Sequence, residues 1–154
     1  MNTYEKAKKT AANIVGYRMY TCHEVEDKLR RKGFEAEIAE QVVSEFAAAG
    51  ILDDRVYAEA YAQDAVNLGG KGVYRIRQEL YKKGIAPGII DAACGDVKEQ
   101  TCDALREYVE SRNLCSGITS RYELEKLKAR LARRGFSPSE IREVLSEYEF
   151  NFED

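Results

Sequence analysis

A single histidine, four cysteines with no Cys-x-x-Cys pair and no long apolar run leave this chain poor in the residues that most often carry chemistry. Zinc sites need clustered Cys and His ligands. His23 stands alone, and Cys22, Cys94, Cys102 and Cys115 are scattered along the sequence. The cysteines read as reduced, small apolar residues of a cytosolic protein. No nucleophile–base constellation is visible, so no catalytic residue, metal or cofactor is expected, and the chain reads as a binding protein, not an enzyme. The stretch Gly69-Gly70-Lys71-Gly72 departs from G-x-x-x-x-G-K-[ST] and follows a helical pattern instead of a strand, which argues against a nucleotide-binding loop. The opening MNTYEKAKKTAANIVGYR has cations without an extended apolar segment, so it reads neither as a signal peptide nor as a membrane span. A cytoplasmic monomer with no membrane partner is the expectation. The alternation that marks strands is almost absent.

What the sequence does have is a phrase written three times: LRRKGF at Leu29–Phe34, LYKKGI at Leu80–Ile85 and LARRGF at Leu131–Phe136. Gly33, Gly84 and Gly135 follow one another at intervals of 51 residues. A fixed period near fifty signals stacked supersecondary units, each too small to bury its apolar face alone. The match extends outward. Val25, Ile76 and Leu127 stand four residues before the three leucines, and Ile38, Ile89 and Ile141 follow the glycines, the last displaced by one. Leu29, Leu80 and Leu131 are therefore expected to be equivalent core positions.

Helix punctuation divides the 154 residues further. An amphipathic run from Tyr4 to Arg18 comes first, and Thr21 with Glu24 opens a capping box before a helix that stops at Gly33. Another runs from Ala36 to Ala49, and Asp53 reads as the N-cap of a third that continues to Asn67. The grammar then repeats: a helix from Val73 to Gly84, a helix opened by Pro87, and one from Val97 to Arg112. Ser120 with Glu123 and Ser137 with Glu140 are further capping boxes, and the final helix is expected to reach Phe150. The fold class is all-α: an elongated array of tandem three-helix repeats preceded by an N-terminal helix. Its expected divisions are residues 1–20 for the leading helix, 21–69 and 70–119 for two full repeats, and 120–154 for a third repeat with an acidic tail. The tail leaves little room for a third helix in the last repeat.

Net charge is −3, but the signs are segregated: residues 71–83 sum to +4 and residues 140–154 to −5. Cations just before a helix-ending glycine neutralise the negative end of the helix dipole, worth ~0.3–1 kcal/mol each. For Arg30, Arg31 and Lys32 that role and a binding role both stand, since Glu24, Glu26 and Asp27 already balance their helix. On a helical wheel Lys71, Arg75, Gln78 and Lys82 share one sector opposite Val73, Ile76 and Leu80. In the third repeat Lys126, Arg130 and Arg133 oppose Leu124, Leu127 and Leu131. Lys71 and Arg75 lie at the start of their helix, where the dipole disfavours cations, so the capping explanation fails for them. Together with Arg77, Lys83 and Arg134 these residues form the candidate surface for an anionic partner. Asp53-Asp54 reads as helix-start chemistry, and Tyr57, Tyr61 and Tyr108 as core aromatics or stacking platforms.

The segments YRMYTCHEVEDKLRRKGF, GILDDRVYAEAY, GGKGVYRIRQELYKKGI and LARRGFSPSEIREVL, in this order, resemble the RecX regulatory proteins, which modulate the RecA recombinase. The resemblance spans nearly the whole chain; Thr21 and Val25 stand where the family more often has serine and leucine. It implies an elongated helical array lying in the groove of the RecA–single-stranded-DNA filament, inhibiting recombinase activity without enzymatic activity of its own. Two other readings of the same residues remain: a helical-repeat protein that binds single-stranded nucleic acid directly, and a protein-only interaction scaffold.

Overall fold

The computed structural model describes residues 1–152 and is helical throughout, with no strand among them. Among the described residues nine α-helices follow in order: α1 Thr3–Val15, α2 Cys22–Arg31, α3 Ala36–Ala48, α4 Asp54–Asn67, α5 Val73–Lys82, α6 Pro87–Val97, α7 Thr101–Ser111, α8 Arg121–Arg133 and α9 Pro138–Leu145. The last two residues of the acidic tail, and with them the end of the expected third repeat, lie outside the described residues.

The chain divides into two compact units. The first comprises Met1–Glu59 with Leu80–Ile90, the second Ala60–Glu79 with the residues from Asp91 onward. In the first unit α1, α2 and α3 pack on one another around Ala7, Ala11, Val25, Leu29, Val42 and Phe46. The leading helix α1 is thus part of that core. Leu52 belongs to the same core, and the Tyr4 hydroxyl donates to Glu45 on α3. In the second unit α7, α8 and α9 enclose Leu105, Tyr108, Leu127, Leu131, Phe136 and Val144.

The helix starts follow the local chemistry. Thr21 and Ser137 each close a full capping box, with Glu24 and Glu140 respectively. Asp53 Oδ1 accepts from the backbone N–H groups of Arg55 and Val56, at 3.0 and 3.3 Å, and so caps α4. At α8 the box is half made: the Ser120 side chain takes the Glu123 N–H, but the Glu123 carboxylate takes the Thr119 N–H at 2.8 Å. Three boundaries differ from the sequence reading. α1 stops at Val15, because the Gly16 N–H turns back to the Ile14 carbonyl. The helix expected from Val97 begins at Thr101, after a 3₁₀ turn over Lys98–Gln100 whose Lys98 carbonyl accepts from the Thr101 hydroxyl. α9 ends at Leu145 and not at Phe150, with the Ser146 N–H returned to Arg142. No further helix follows it among the described residues.

The thrice-written phrase is one device. Gly33, Gly84 and Gly135 all have φ between 80 and 98°. The residue after each glycine donates its N–H to the carbonyl of the leucine five positions back: Phe34 to Leu29, Ile85 to Leu80, Phe136 to Leu131, at 3.1–3.3 Å. Each glycine donates to the carbonyl three positions back, which completes a Schellman motif. The leucine of each phrase is fully buried.

Two of these loops also receive another helix start. The Thr21 hydroxyl donates to the Lys83 carbonyl at 2.7 Å, while the Gly72 N–H donates to the Arg134 carbonyl at 2.8 Å. Thr21 and Gly72 are 51 residues apart, as are Lys83 and Arg134, so the same contact is made once in each unit. A Cβ on Gly84 would overlap the His23 side chain, and one on Gly135 would overlap the Arg75 backbone. Gly33 has nothing within 4 Å of such a Cβ.

The three glycines should therefore respond unequally to alanine. Gly33→Ala should cost only the left-handed backbone penalty of about 1–2 kcal/mol. Gly84→Ala and Gly135→Ala should cost clearly more, because the docked helix start must also move. Leu29→Ala, Leu80→Ala and Leu131→Ala should each cost ~2–5 kcal/mol. Urea denaturation checks both sets, and equal losses at the three glycines would contradict the docking contacts.

Candidate partner-binding surface

The candidate cations fall into three groups by what holds them. In the first repeat, Arg30 pairs with Glu26 at 3.2 Å and Arg31 with Asp27 at 2.9 Å, each one turn back on α2. Lys32 is the exposed C-cap residue of that helix. Arg30 and Arg31 are thus last-turn cations already neutralised by carboxylates of their own helix.

A second group is used inside the fold. Lys71 and Arg75 are half-buried, not fully outward, which corrects the expectation of an exposed stripe there. Lys71 precedes α5, and its ammonium lies 2.9 Å from Glu79; Arg75 Nε lies 3.6 Å from the same carboxylate. The Tyr61 hydroxyl donates to Glu79 as well, at 2.8 Å. Arg75 also donates to the Arg133 carbonyl at 3.3 Å. A cation at the unfavourable start of its own helix thus serves the favourable end of α8. Arg134 turns back to donate to the carbonyls of Gly69 and Gly70, the latter at 2.9 Å. Arg77 pairs with Asp91. Lys83 lies 3.8 Å from Glu24 and over the Tyr57 ring.

The third group is exposed: Lys82, Lys126, Arg130 and Arg133. Among the described residues, Lys82 and Arg133 have no carboxylate partner. The reason is in the repeat. Where Asp27 stands below Arg31, the equivalent positions below Lys82 and Arg133 are Gln78 and Ala129. Lys126 sits over the exposed Tyr122 ring, 5.5 Å from its centroid. Arg130 donates to the Tyr108 hydroxyl at 3.3 Å.

Sequence reasoning missed Arg112, whose guanidinium lies 4.6 Å from the centroid of Tyr108. The signal was present, since Tyr108 and Arg112 are four residues apart on one helix face. Of the tyrosines read as core or platform, Tyr57 and Tyr108 are buried and Tyr61 half-buried. Asp54 accepts from the Cys22 backbone N–H at 2.9 Å, which ties α4 to the start of α2.

All four cysteines are free, and burial raises each thiol above its ordinary value, Cys22 to about 11 with a further push from Asp54. Such thiols are poor nucleophiles at neutral pH. Among the described residues no three His, Cys, Asp or Glu side chains are grouped to hold a metal ion, and no helix is long and apolar enough to cross a membrane.

Comparison with known proteins places these features in a family. Residues 7–46 match the model of the first three-helix domain of RecX, and residues 53–93 match that of the second. A regulatory protein RecX from Chlorobium phaeobacteroides is 30% identical over 93% of this chain and 93% of its own length. One from Clostridium acetobutylicum is 34% identical over 95% of this chain and 70% of its own. The crystal structure of RecX from Lactobacillus salivarius superposes with a TM-score of 0.80 at 28% identity, covering 94% of this chain and 96% of that one.

The Glu79 cluster makes a pH prediction. Burial alone would raise this carboxyl, but hydrogen bonds from Lys71 and Tyr61 and the charges of Lys71 and Arg75 outweigh it and hold the pKa below the ordinary value. The folded carboxyl therefore titrates below the unfolded one, whose pKa is about 4.3. Its contribution to stability is complete above that pH and disappears as the pH falls through the folded value. Glu79→Gln should lower Tm at neutral pH and flatten the acid limb of the Tm–pH profile. A variant that keeps the wild-type acid limb would show that Glu79 does not anchor this cluster.

Proposed function

The chain belongs to the RecX family of regulatory proteins, and on that premise we propose that it binds the RecA–single-stranded-DNA filament in the cytoplasm, as a monomer, and lowers its recombinase activity. The role needs no catalysis by the chain itself. The observation that carries the reading is the contrast among three equivalent helix ends. Arg31 is neutralised by Asp27, whereas Lys82 and Arg133, 51 and 102 residues further on, are exposed without a carboxylate partner among the described residues. Cations left free at a fixed sequence period suit a partner that is itself periodic and anionic, as a nucleoprotein filament is.

The proposed contact residues are accordingly Lys82, Lys126, Arg130 and Arg133, with Lys32, Lys83 and Arg77 at lesser weight. Lys71, Arg75 and Arg134 support the fold of the second unit. Arg30 and Arg31 act mainly on their own helix.

Binding to RecA–DNA filaments, to free RecA and to bare oligonucleotide at matched ionic strength tests the proposal. Wild type should favour the filament and suppress its ATP hydrolysis. The triple variant Lys82→Glu, Lys126→Glu, Arg133→Glu should keep its helices and bind filaments at least about tenfold more weakly, a loss of ~1.4 kcal/mol. Its residual binding should depend less on salt. The pair Arg30→Glu, Arg31→Glu should bind nearly as wild type. Unchanged recombinase activity at saturating protein would overturn the functional reading. Loss confined to the first-repeat pair would move the contact surface elsewhere.

A further inference from the structure

Three guanidinium groups converge on one aromatic ring in the second unit. Arg134, Arg112 and Arg130 lie 4.5, 4.6 and 6.0 Å from the centroid of Tyr108. Positive charges collected around one ring repel one another, and neutralisation by carboxylates is the ordinary remedy. Among the described residues none of the three has a carboxylate within ion-pair distance. The ring face and the Gly69 and Gly70 carbonyls offset part of the charge. The rest is unbalanced.

The cluster is also built. Tyr108 is 6% exposed and held in the core of α7, α8 and α9. Gly70, at φ 57°, lies so close to the Tyr108 ring that any Cβ there would overlap it. Arg134 is fixed by its two carbonyls, and Arg130 by the Tyr108 hydroxyl. That hydroxyl accepts from Arg130, so its own proton remains to be donated. Beside the ring is a pocket of about 80 Å³ lined by Asn67, Gly70, Glu107, Tyr108, Ser111 and Arg112 among others. This is room for a small group of atoms. Glu107 is the one acid among those residues.

We propose that Arg112, Arg130 and Arg134 on Tyr108 form a binding site for a single phosphoryl group. Guanidinium forks and a phenolic donor match the several acceptor oxygens of a phosphate ester better than the planar pair of a carboxylate. The site rests on the filament-binding reading and deepens it, because Arg130 belongs to the proposed contact surface and the phosphoryl group is what that part of the surface holds. The phosphoryl group comes either from a nucleic-acid backbone or from a free phosphate compound.

The test needs no recombinase. Thermal melting in sodium phosphate and in sodium chloride, at one pH and ionic strength, should give a higher Tm in phosphate for wild type, because a ligand of the native state stabilises it by mass action. Inorganic pyrophosphate should act likewise. Arg112→Gln with Arg130→Gln should abolish the phosphate-specific rise, while Arg133→Gln keeps it. Arg112→Gln alone, at an exposed position, serves if the double variant already melts lower in chloride. Anisotropy of a labelled oligothymidylate separates the sources. Weakening by about tenfold or more in the double variant assigns the site to the nucleic-acid backbone. Unchanged oligonucleotide binding with the phosphate effect lost assigns it to free phosphate compounds. A wild-type Tm that is the same in phosphate, pyrophosphate and chloride overturns the proposal. Because the filament variants at Lys82, Lys126 and Arg133 leave the Tyr108 cluster intact, the two readings can fail separately.

Discussion

The left-handed glycine that ends α2, α5 and α8 is the constraint on which the rest depends. It lets the chain reverse within two residues, buries the leucine before it and returns the following N–H to that leucine's carbonyl. In two of the three cases it also leaves an α-carbon bare enough for another helix start to press against it. Thr21 on the Lys83 carbonyl and Gly72 on the Arg134 carbonyl are the same hydrogen bond made by different donors, a hydroxyl in one unit and a backbone amide in the other. A repeat can therefore vary the residue at the helix start as long as a donor remains there. What it cannot vary is the glycine that receives it.

The same constraint explains why neighbouring cations have different duties. A Schellman loop exposes the last carbonyls of its helix, and these attract positive charge. The residue just before the glycine is Lys32, Lys83 or Arg134. Where a helix start is docked, this residue is drawn into the fold, as Lys83 and Arg134 are; where none is docked, Lys32 stays exposed. One position earlier, Arg31, Lys82 and Arg133 all point outward, and their availability is decided by the side chain one turn back. An aspartate there makes the cation structural. A glutamine or alanine leaves it for a partner.

Most of the fold was legible from local rules. The phrase, the caps and the buried leucines depend on contacts within about one helical turn or on strict periodicity, and both are written directly in the sequence. The boundaries that were misread turn on weaker competition. Nothing in Lys98–Gln100 forbids an α-helix, and the 3₁₀ turn arises where the Thr101 hydroxyl claims the Lys98 carbonyl and Glu140 approaches from α9. The site was legible only in part. The helical wheel pointed to Lys71 and Arg75 as surface cations, and the repeated phrase to Arg134. Their actual acceptors are Glu79, the Arg133 carbonyl and the Gly69–Gly70 carbonyls, and the last two lie 58 to 65 residues away in sequence. No helical wheel contains that information. The pairing of Tyr108 with Arg112 was local and readable, whereas the approach of Arg130 and Arg134 to the same ring was not.

Arg75 shows how far a dipole argument carries. The expectation that capping fails for a cation at a helix start is right only for its own helix, and the conclusion that Arg75 faces a partner does not follow. The carbonyl end of α8 lies close enough for Arg75 to reach Arg133, so the favourable dipole is a neighbour's. Gly135 makes this possible, since a side chain there would collide with Arg75 itself. The two units use equivalent loops in this way, but only α8 is followed so closely by an arginine that also reaches back, Arg134 to Gly69 and Gly70. That reach brings Arg134 onto Tyr108, where among the described residues no carboxylate lies within ion-pair distance of the three guanidinium groups. A packing device, repeated for stability, thereby builds in its last copy the cluster for which we propose an anion from outside the chain.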